Sequence, residues 1–156
     1  MSAWWDQIGS AVAKDFSDLP NVGSLATLIM RLLLASALGG LLGLQRHRAG
    51  KEAGVRTHML VALGAALFVL IPLQTGVSPG DMTRVLQGLI AGIGFLGAGT
   101  ILKDDEHGRV RGLTTAAGVW LTAAIGVAAG MGREASAIVS TALALMILSA
   151  LRHVER

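Results

Sequence analysis

Charged residues divide the chain into long stretches that carry no charge. The five longest are residues 32–45, 59–80, 85–102, 112–132 and 135–151. A helix needs about 20 mainly apolar residues, with a range of about 17–25, to cross the hydrocarbon core of a bilayer. Four of the stretches reach that length unaided. The first reaches it if Arg31 is tolerated within the helix, because residues 22–30 are also uncharged. The pattern therefore predicts about five transmembrane helices.

The predicted fold class is an all-α membrane protein. The sequence is 53% hydrophobic and only 15% charged, whereas soluble domains contain about 25% charged residues. The alternative is a soluble helical bundle, but so small a bundle has too little interior to hide five helices that are apolar on every face. We place the transmembrane domain at residues 21–156, with spans at about 23–44, 57–76, 84–102, 112–131 and 135–151.

Residues 1–20 are predicted to form a separate N-terminal segment. Trp4, Ile8, Val12 and Phe16 recur at every fourth position, which is the spacing of one helix face. The pattern favours a short amphipathic helix in the membrane interface, with tryptophan at the level of the lipid headgroups. A disordered tail is the alternative.

Positive charges are distributed unevenly between the predicted loops. Cytoplasmic loops of membrane proteins carry an excess of Lys and Arg. Nine of the 13 Lys and Arg residues lie on one predicted side and three lie on the other. This bias predicts an external N-terminus and a cytoplasmic C-terminus. The nine are Arg46, Arg48, Lys51, Arg56, Lys103, Arg109, Arg111, Arg152 and Arg156, and the three are Lys14, Arg84 and Arg133.

Two parts of the chain share a pattern that indicates a tandem repeat of a helical hairpin. Each begins with an arginine, contains a Gly-x-x-Gly run, crosses a charged loop and re-enters a span after a glycine. The hairpins would be parallel repeats about an axis along the membrane normal. Chance similarity between Gly- and Ala-rich spans is the alternative. The matched positions are 31, 40–43 and 54–57 in the first hairpin and 84, 94–97 and 112–115 in the second.

Most of the 21 glycines lie inside the predicted spans. Small residues four positions apart let helix backbones approach closely in lipid. We therefore expect span 3, which has the most glycines, to be central, and span 5, which has none, to be peripheral. A homodimer is an alternative use of such contacts. The predicted packing residues are Gly39, Gly43, Gly88, Gly92, Gly94, Phe95, Gly97, Gly99, Gly126 and Gly130.

Arg31 lies within the first span, roughly a third of the way in from its outer end. An arginine at membrane depth costs about 2.5–3.5 kcal/mol on insertion scales, so it is expected to face the interior, water or an acid. Asp81, close to Arg84, is the acid best placed to pair with it. The alternative is an arginine that snorkels to the outer surface.

The cytoplasmic starts of two spans carry hydroxyls and cations. Arg56, Thr57 and His58 open span 2, while Arg111 precedes Thr114 and Thr115 in span 4. Helix N-termini offer free backbone N–H groups, so both positions suit an anion or a carboxylate partner. The alternative, which is at least as favoured for any single threonine, is that these threonines serve only as N-caps of the two helices.

The run Asp104-Asp105-Glu106-His107 is a weak candidate for a divalent cation, and a solvated charged loop is the favoured interpretation. No spacing resembles a zinc site, a P-loop or a nucleophile triad. We therefore predict no metal, no cofactor and no enzymatic activity. The basic residues flank membrane spans, so we also predict no nucleic-acid partner.

Four motifs resemble one known family. They are Gly43-Leu44-Gln45-Arg46, the run GVRTH at 54–58, the run GIGFLGAG at 92–99 and the run GLTTAA at 112–117. Together, and in this order, they resemble the MgtC/SapB family of bacterial inner-membrane proteins. The resemblance covers about residues 31–132. The positions that look like family signature residues are Arg31, Arg46, Arg56, Thr57, Gly94, Phe95, Gly97, Thr114, Thr115 and Trp120.

The resemblance implies a multi-span domain linked to growth in low magnesium and, in some pathogens, to survival in macrophages. One member is described as restraining the F-type ATP synthase. Many members carry a cytoplasmic C-terminal domain of ACT-like fold, which this sequence, ending at Arg156, is expected to lack. Family members usually have Glu where this chain has Gln45, so any role of that acid is expected to be lost.

The leading functional hypothesis is a non-enzymatic modulator of membrane energetics or ion homeostasis under low magnesium or acid stress. It would act within lipid by helix contacts, as a homodimer and on another complex such as the F-type ATP synthase. The alternative is a small homo-oligomeric transporter or channel, favoured by the parallel repeats and by Arg31. Few acids lie within the spans, which argues against a cation path. An intramembrane enzyme is the least favoured hypothesis.

Overall fold

The computed structural model describes residues 3–15, 17, 21–103 and 110–150. Within these ranges the chain forms six helices and one short antiparallel ladder. The helices are α1 (Ala3–Asp15), α2 (Val22–Arg48), α3 (Val55–Gln74), α4 (Pro79–Ala98), α5 (Leu113–Gly130) and α6 (Glu134–Ala150), and the strands are β1 (Leu102–Lys103) and β2 (Val110–Arg111).

The helices confirm the predicted class, an all-α membrane protein. Among the described residues, α2, α3 and α5 are long and apolar enough to cross a bilayer, and α6 is a shorter apolar helix. Helix α4 has 20 residues, but its first turns carry Asp81 and Arg84. Helices α2 to α6 cover the five predicted segments, and the number that cross the membrane stays a prediction.

The chain divides into two compact units, Met1–Met30 and Arg31–Arg156. The first contains α1, on which the stacked rings of Trp4 and Trp5 lie 4.1 Å apart between centroids. Ile8 and Val12 are exposed on the same helix, as an interfacial helix requires. Its place at a membrane surface stays a prediction, and Phe16 lies outside the described residues.

Three helices of the bundle end in the same glycine motif. Gly50, Gly76 and Gly132, which follow α2, α3 and α5, have φ angles of 68°, 72° and 72°. After each, the next backbone N–H bonds the carbonyl five residues earlier, as in Lys51 to Arg46. This is the C-terminal cap that glycine favours because it has no side chain to oppose positive φ.

Helix α3 lies against the backbone of its neighbour α2. A Cβ placed on Gly39 would lie 2.5 Å from the carbonyl oxygen of His58, and one on Gly43 would lie 2.6 Å from Cα of Val55. No larger residue fits at either position without moving α2 away from α3. The predicted packing of the pair Gly39 and Gly43 is thus found in the structure.

Helix α5 packs on α3 in the same manner. A Cβ on Gly126 would collide with the carbonyl of Ala62, and one on Gly130 would lie 2.6 Å from the carbonyl oxygen of Ala66. Close contact of this kind favours helix association in lipid, where apolar burial supplies no drive. Helix α3 is therefore held between two helices at backbone distance.

The expectation that span 3 is central is wrong for the described chain. Gly88, Gly92 and Gly94 of α4 have no atom within 4 Å of an added Cβ, and Phe95 is 81% exposed. Only Gly97 approaches another helix, at 3.7 Å from Cβ of Ala116, and Gly99 meets only its own helix. Helix α5 holds the central position instead.

The interior is built from small apolar side chains. Ala35, Leu38 and Leu42 of α2 meet alanines of α3 and α5 in one buried cluster with Ile125. Helix α6 adds Ala137 and Ala144 from one face and leaves large apolar residues, among them Leu143 and Met146, exposed on the other. Its edge position agrees with the expectation for span 5.

The β1–β2 ladder was not predicted. It pairs Leu102 with Arg111 and Lys103 with Val110, so α4 ends four residues before the predicted end of span 3. The ladder sets Arg111 and the start of α5 next to the end of α4. The tandem repeat of hairpins stays a prediction.

A matched pair of glycine substitutions tests the central contact. We expect Gly126→Ala to lower the free energy of unfolding by about 1–3 kcal/mol, the usual cost of overpacking, because its methyl group meets the Ala62 backbone. Gly92→Ala, in open space on α4, should be neutral or stabilising by up to about 1 kcal/mol. Thermal unfolding of the purified protein in mild detergent measures both, and equal effects would contradict the packing.

Candidate functional site

A pocket of about 460 Å³ lies where α2 ends and α5 begins. Helix α2, the loop after it, the end of α4 and strand β2 contribute its walls. We call it the Arg46 pocket. Its lining residues are Arg46, Gly50, Lys51, Glu52, Thr100, Val110, Arg111, Gly112, Leu113, Thr114 and Thr115.

Arg46 is the buried cation of this pocket. It is 3% exposed, and its Nη2 donates a 2.8 Å hydrogen bond to Oγ1 of Thr115 on α5. Its Nε has no hydrogen-bond partner among the described residues, and none of their carboxylates lies within 4.0 Å of it. A buried charge without a partner is costly, so the site favours a further acceptor.

The N-terminus of α5 forms one wall of the pocket. Gly112 is its N-cap, with φ of 90° and no side-chain cap hydrogen bond. A Cβ at Gly112 would collide with the carbonyl of Thr100, so this turn requires glycine. The interpretation of Thr114 and Thr115 as N-caps is wrong, because they lie in the first turn, after the cap.

Charges at the mouth of the pocket are mainly positive. Lys51 and Arg111 line it, and both are exposed. Among the described residues that line the pocket, Glu52 is the one carboxylate. With Arg46, the described lining thus has three cations and one acid around a helix N-terminus, which carries a partial positive charge of its own. The arrangement attracts an anion.

His58 lies behind the pocket, in the interior. It is 1% exposed, its Nδ1 donates to the carbonyl of Gly54 at 3.0 Å, and its Nε2 has no partner in the described part of the chain. The ring faces Gly118, where an added Cβ would lie 3.7 Å from Nε2. A second, apolar cavity of about 160 Å³ adjoins it and shares Thr114 with the Arg46 pocket.

Gln45 forms a hydrogen bond with α6. Its Nε2 donates to the carbonyl of Leu148 at 3.0 Å, and its Oε1 is buried without a partner among the described atoms. An ionised Glu at this position has no proton to donate. The amide therefore joins the end of α2 to the end of α6.

Arg31 lies at the opposite end of the bundle, and its predicted partner is wrong. Its Nη1 donates to the carbonyl of Gly130 at 3.3 Å, and its Nε lies 3.7 Å from Oε1 of Glu134. Asp81 instead accepts from Ser78 and Arg84 in the first turn of its own helix. The order of helices around the bundle brings the start of α6, and not the start of α4, to Arg31.

The remaining candidate residues lie apart from the Arg46 pocket. Arg56 and Thr57 are exposed on the first turn of α3, and Trp120 lines an apolar groove between α4 and α5. Residues 104–107 lie outside the described residues. Within the described ranges, no group of three or more His, Cys, Asp or Glu could hold a metal ion.

Several residues near the Arg46 pocket, and one near Arg31 at the opposite end of the bundle, were not predicted from the sequence to belong to a site. Glu52 and Thr100 line the Arg46 pocket but were not predicted as site residues, and Lys51 was used only for the charge bias between the two sides. Glu134 was missed too, although it is the first residue of α6 and so belongs to the predicted outer end. Proximity in a helix bundle is set by helix order, which the local pattern does not contain.

Comparison with known proteins places the chain in a family. The model of the MgtC family matches residues 32–156, so the Arg46 pocket and the part of the bundle that follows Arg31 fall within the match. The chain belongs to the MgtC family. No solved structure matches it.

Three relatives are similar over most of this chain. Protein SrpB of Synechococcus elongatus is 43% identical over 143 residues, which cover 83% of this chain and 77% of SrpB. Protein MgtC of Salmonella typhimurium is 44% identical, covering 75% and 49%. A protein of Escherichia coli named putative magnesium transporter YhiD is 37% identical, covering 79% and 60%. The chain thus spans about half the length of that MgtC.

Removal of the hydroxyl that accepts from Arg46 should destabilise the fold. We expect Thr115→Val to lower the free energy of unfolding by about 1–3 kcal/mol, because a buried charged donor loses its acceptor. Thr114→Val, at an exposed neighbour, should change it by no more than about 0.5 kcal/mol. Thermal unfolding in phosphate-free detergent solution measures both, and an unchanged Thr115→Val would refute the hydrogen bond.

A second pair of glycines tests the contacts of Arg31. Gly76→Ala and Gly132→Ala both place alanine at φ of 72°, which costs about 1–2 kcal/mol. The new methyl group at Gly132 also displaces the Arg31 guanidinium, whereas that at Gly76 meets nothing within 4 Å. Gly132→Ala should therefore cost about 1 kcal/mol more.

The difference between the two glycine variants should vanish in an Arg31→Leu background. Unfolding of the four variants in detergent provides the comparison. A difference that persists without the arginine would show that Arg31 does not occupy the place next to Gly132.

Proposed function

We propose that this member of the MgtC family is a non-enzymatic modulator of membrane energetics or ion homeostasis under low magnesium or acid stress. The observation that carries the proposal is the close packing of α2, α3 and α5 in the middle of the bundle. There, Gly39, Gly126 and Gly130 hold α3 against the backbones of α2 and α5, and small apolar side chains fill the interior. A modulator needs a stable bundle with a polar site at one end, and this arrangement fits that need.

The membrane and the orientation belong to the same proposal. We place the chain in the bacterial inner membrane, with the N-terminus outside and the C-terminus in the cytoplasm. The excess of Lys and Arg on one side supports this orientation. It puts the Arg46 pocket at the cytoplasmic face, where it is open to soluble ions and to lipid headgroups.

The partner would be reached within the bilayer. We propose that the chain forms a homodimer in lipid and acts on another membrane complex, for which the F-type ATP synthase is the candidate that the family suggests. The family resemblance supports this target. Large apolar side chains of α6, such as Ile138, Val139 and Ile147, are exposed on its outer face and are compatible with contacts in lipid.

Transport is the second candidate function. The name of the Escherichia coli relative, putative magnesium transporter, favours it. Against it, the five predicted spans consist almost entirely of uncharged residues. They therefore supply few acidic ligands for a cation path. A path would have to form between copies of the chain or by separation of α3 from α5.

Two measurements on purified protein separate the candidates. Proteoliposomes loaded with a magnesium-sensitive dye should show no more Mg²⁺ entry than protein-free vesicles, because the bundle is closed. Co-reconstitution with a bacterial F-type ATP synthase should lower ATP-driven proton pumping, relative to the same amount of an unrelated membrane protein. Saturable Mg²⁺ entry with unchanged proton pumping would contradict the proposed function and favour transport.

A further inference from the structure

We propose that the Arg46 pocket binds a phosphoryl group, either as soluble phosphate or as the headgroup of an anionic phospholipid. The inference deepens the proposed function and rests on it for its biological meaning, since it assigns a ligand to the polar end of the modulator. Binding itself is a property of the purified chain and is tested separately.

The pocket contains a buried cation that lacks a full set of partners among the described residues. Arg46 is 3% exposed, one hydrogen bond to Thr115 is found for its guanidinium, and Nε is left without a partner among the described residues. A guanidinium is rarely buried without an anion, because desolvation of its charge is compensated only by paired acceptors. Phosphoryl oxygens are strong acceptors for it.

The N-terminal end of α5 faces the same pocket. The first turn of α5, from Leu113 to Thr115, lines the pocket, and its N-cap Gly112 supplies no side-chain acceptor. The N–H groups of such a turn and the helix dipole bind phosphate in many proteins. The exposed Thr114 hydroxyl adds a donor at the same end.

The charge and the size of the pocket also fit a phosphoryl group. Lys51 and Arg111 bring two further cations to the walls, against one carboxylate, that of Glu52, in the part of the lining that the structure describes. A group with several oxygens and up to two negative charges matches donors that converge from α2, α5 and β2. A pocket of about 460 Å³ holds a phosphate together with part of the group esterified to it.

Two sources of the phosphoryl group are compatible with this place. The pocket lies at the end of the helices, where lipid headgroups are found, and Leu113 and Val110, which line it, are 59% and 52% exposed. An apolar rim next to cations suits a phospholipid. Soluble phosphate would enter from the aqueous side of the same opening.

The test compares two arginines at the same end of the bundle. Arg111 lines the pocket, whereas Arg56 is exposed on α3 and does not. Arg111→Gln and Arg56→Gln change the net charge equally, and neither side chain is buried, so both variants should fold. We expect Arg111→Gln to weaken binding about tenfold, the effect of one lost charge-assisted hydrogen bond, and Arg56→Gln to leave it unchanged.

The soluble arm titrates inorganic phosphate into the protein in phosphate-free detergent at constant ionic strength, with chloride as the control anion. A saturable rise in Tm that Arg111→Gln weakens assigns the site to soluble phosphate. The lipid arm uses native mass spectrometry of protein from vesicles of phosphatidylglycerol and phosphatidylcholine. Selective retention of phosphatidylglycerol, reduced in Arg111→Gln, assigns it to a headgroup.

Either result supports the phosphoryl site. The proposal is overturned if neither probe binds, if chloride acts as phosphate does, or if Arg56→Gln and Arg111→Gln weaken binding equally. Since neither arm measures Mg²⁺ entry or proton pumping, a failure here leaves the proposed modulator function standing, and the converse also holds.

Discussion

The approach of α3 to its two neighbours at backbone distance is the constraint on which the rest of the bundle depends. Helices in lipid gain nothing from hydrophobic burial against one another, so their association relies on packing and on polar contacts. Here glycines of α2 and α5 lie against carbonyls of α3, and alanines fill most of the remaining interior. Because no larger side chain fits at Gly39, Gly126 or Gly130, these positions set the spacing of the three helices. The charged groups at either end are then positioned by the bundle and do not hold it together alone.

The same spacing creates the polar site. With α2 and α5 on either side of α3, the last turns of α2 bring Arg46 next to Thr115 in the first turn of α5. Gly112 lies against the carbonyl of Thr100, which follows the end of α4. The residues after α4 and the β1–β2 ladder therefore form the remaining wall of the pocket. The lining of the pocket comes from α2, α5 and the ladder together. An anion bound there would favour the arrangement in which these elements lie side by side.

Much of the fold was predictable, because an uncharged length of about 20 residues has one common solution in lipid. The pairs Gly39/Gly43 and Gly126/Gly130 were found from spacing alone, yet Gly88/Gly92 has the same spacing and faces open space. Spacing identifies a face on which a helix can pack, but not whether a neighbour is there. Glu134 and not Asp81 meets Arg31 for the related reason that helix order is a property of the whole bundle.

The burial of Arg46 was missed because the first span was expected to end at residue 44, whereas α2 continues to Arg48. The partial negative charge at the C-terminus of a helix favours basic residues in its last turn, which is a reason to extend the first span over Arg46. The start of α4 could also have been predicted from the sequence, because Ser78, Pro79 and Asp81 are typical of a helix N-terminus.

The most direct test of the central packing is a structure of the protein in lipid nanodiscs, determined by electron cryomicroscopy with a bound antibody fragment. We expect Gly126 and Gly130 of α5 to lie against the backbone of α3 at Ala62 and Ala66, with the guanidinium of Arg46 within hydrogen-bond distance of Thr115. A map in which the glycines of α4 occupy that place against α3, with α5 displaced to the edge and Arg46 in solvent, would contradict it.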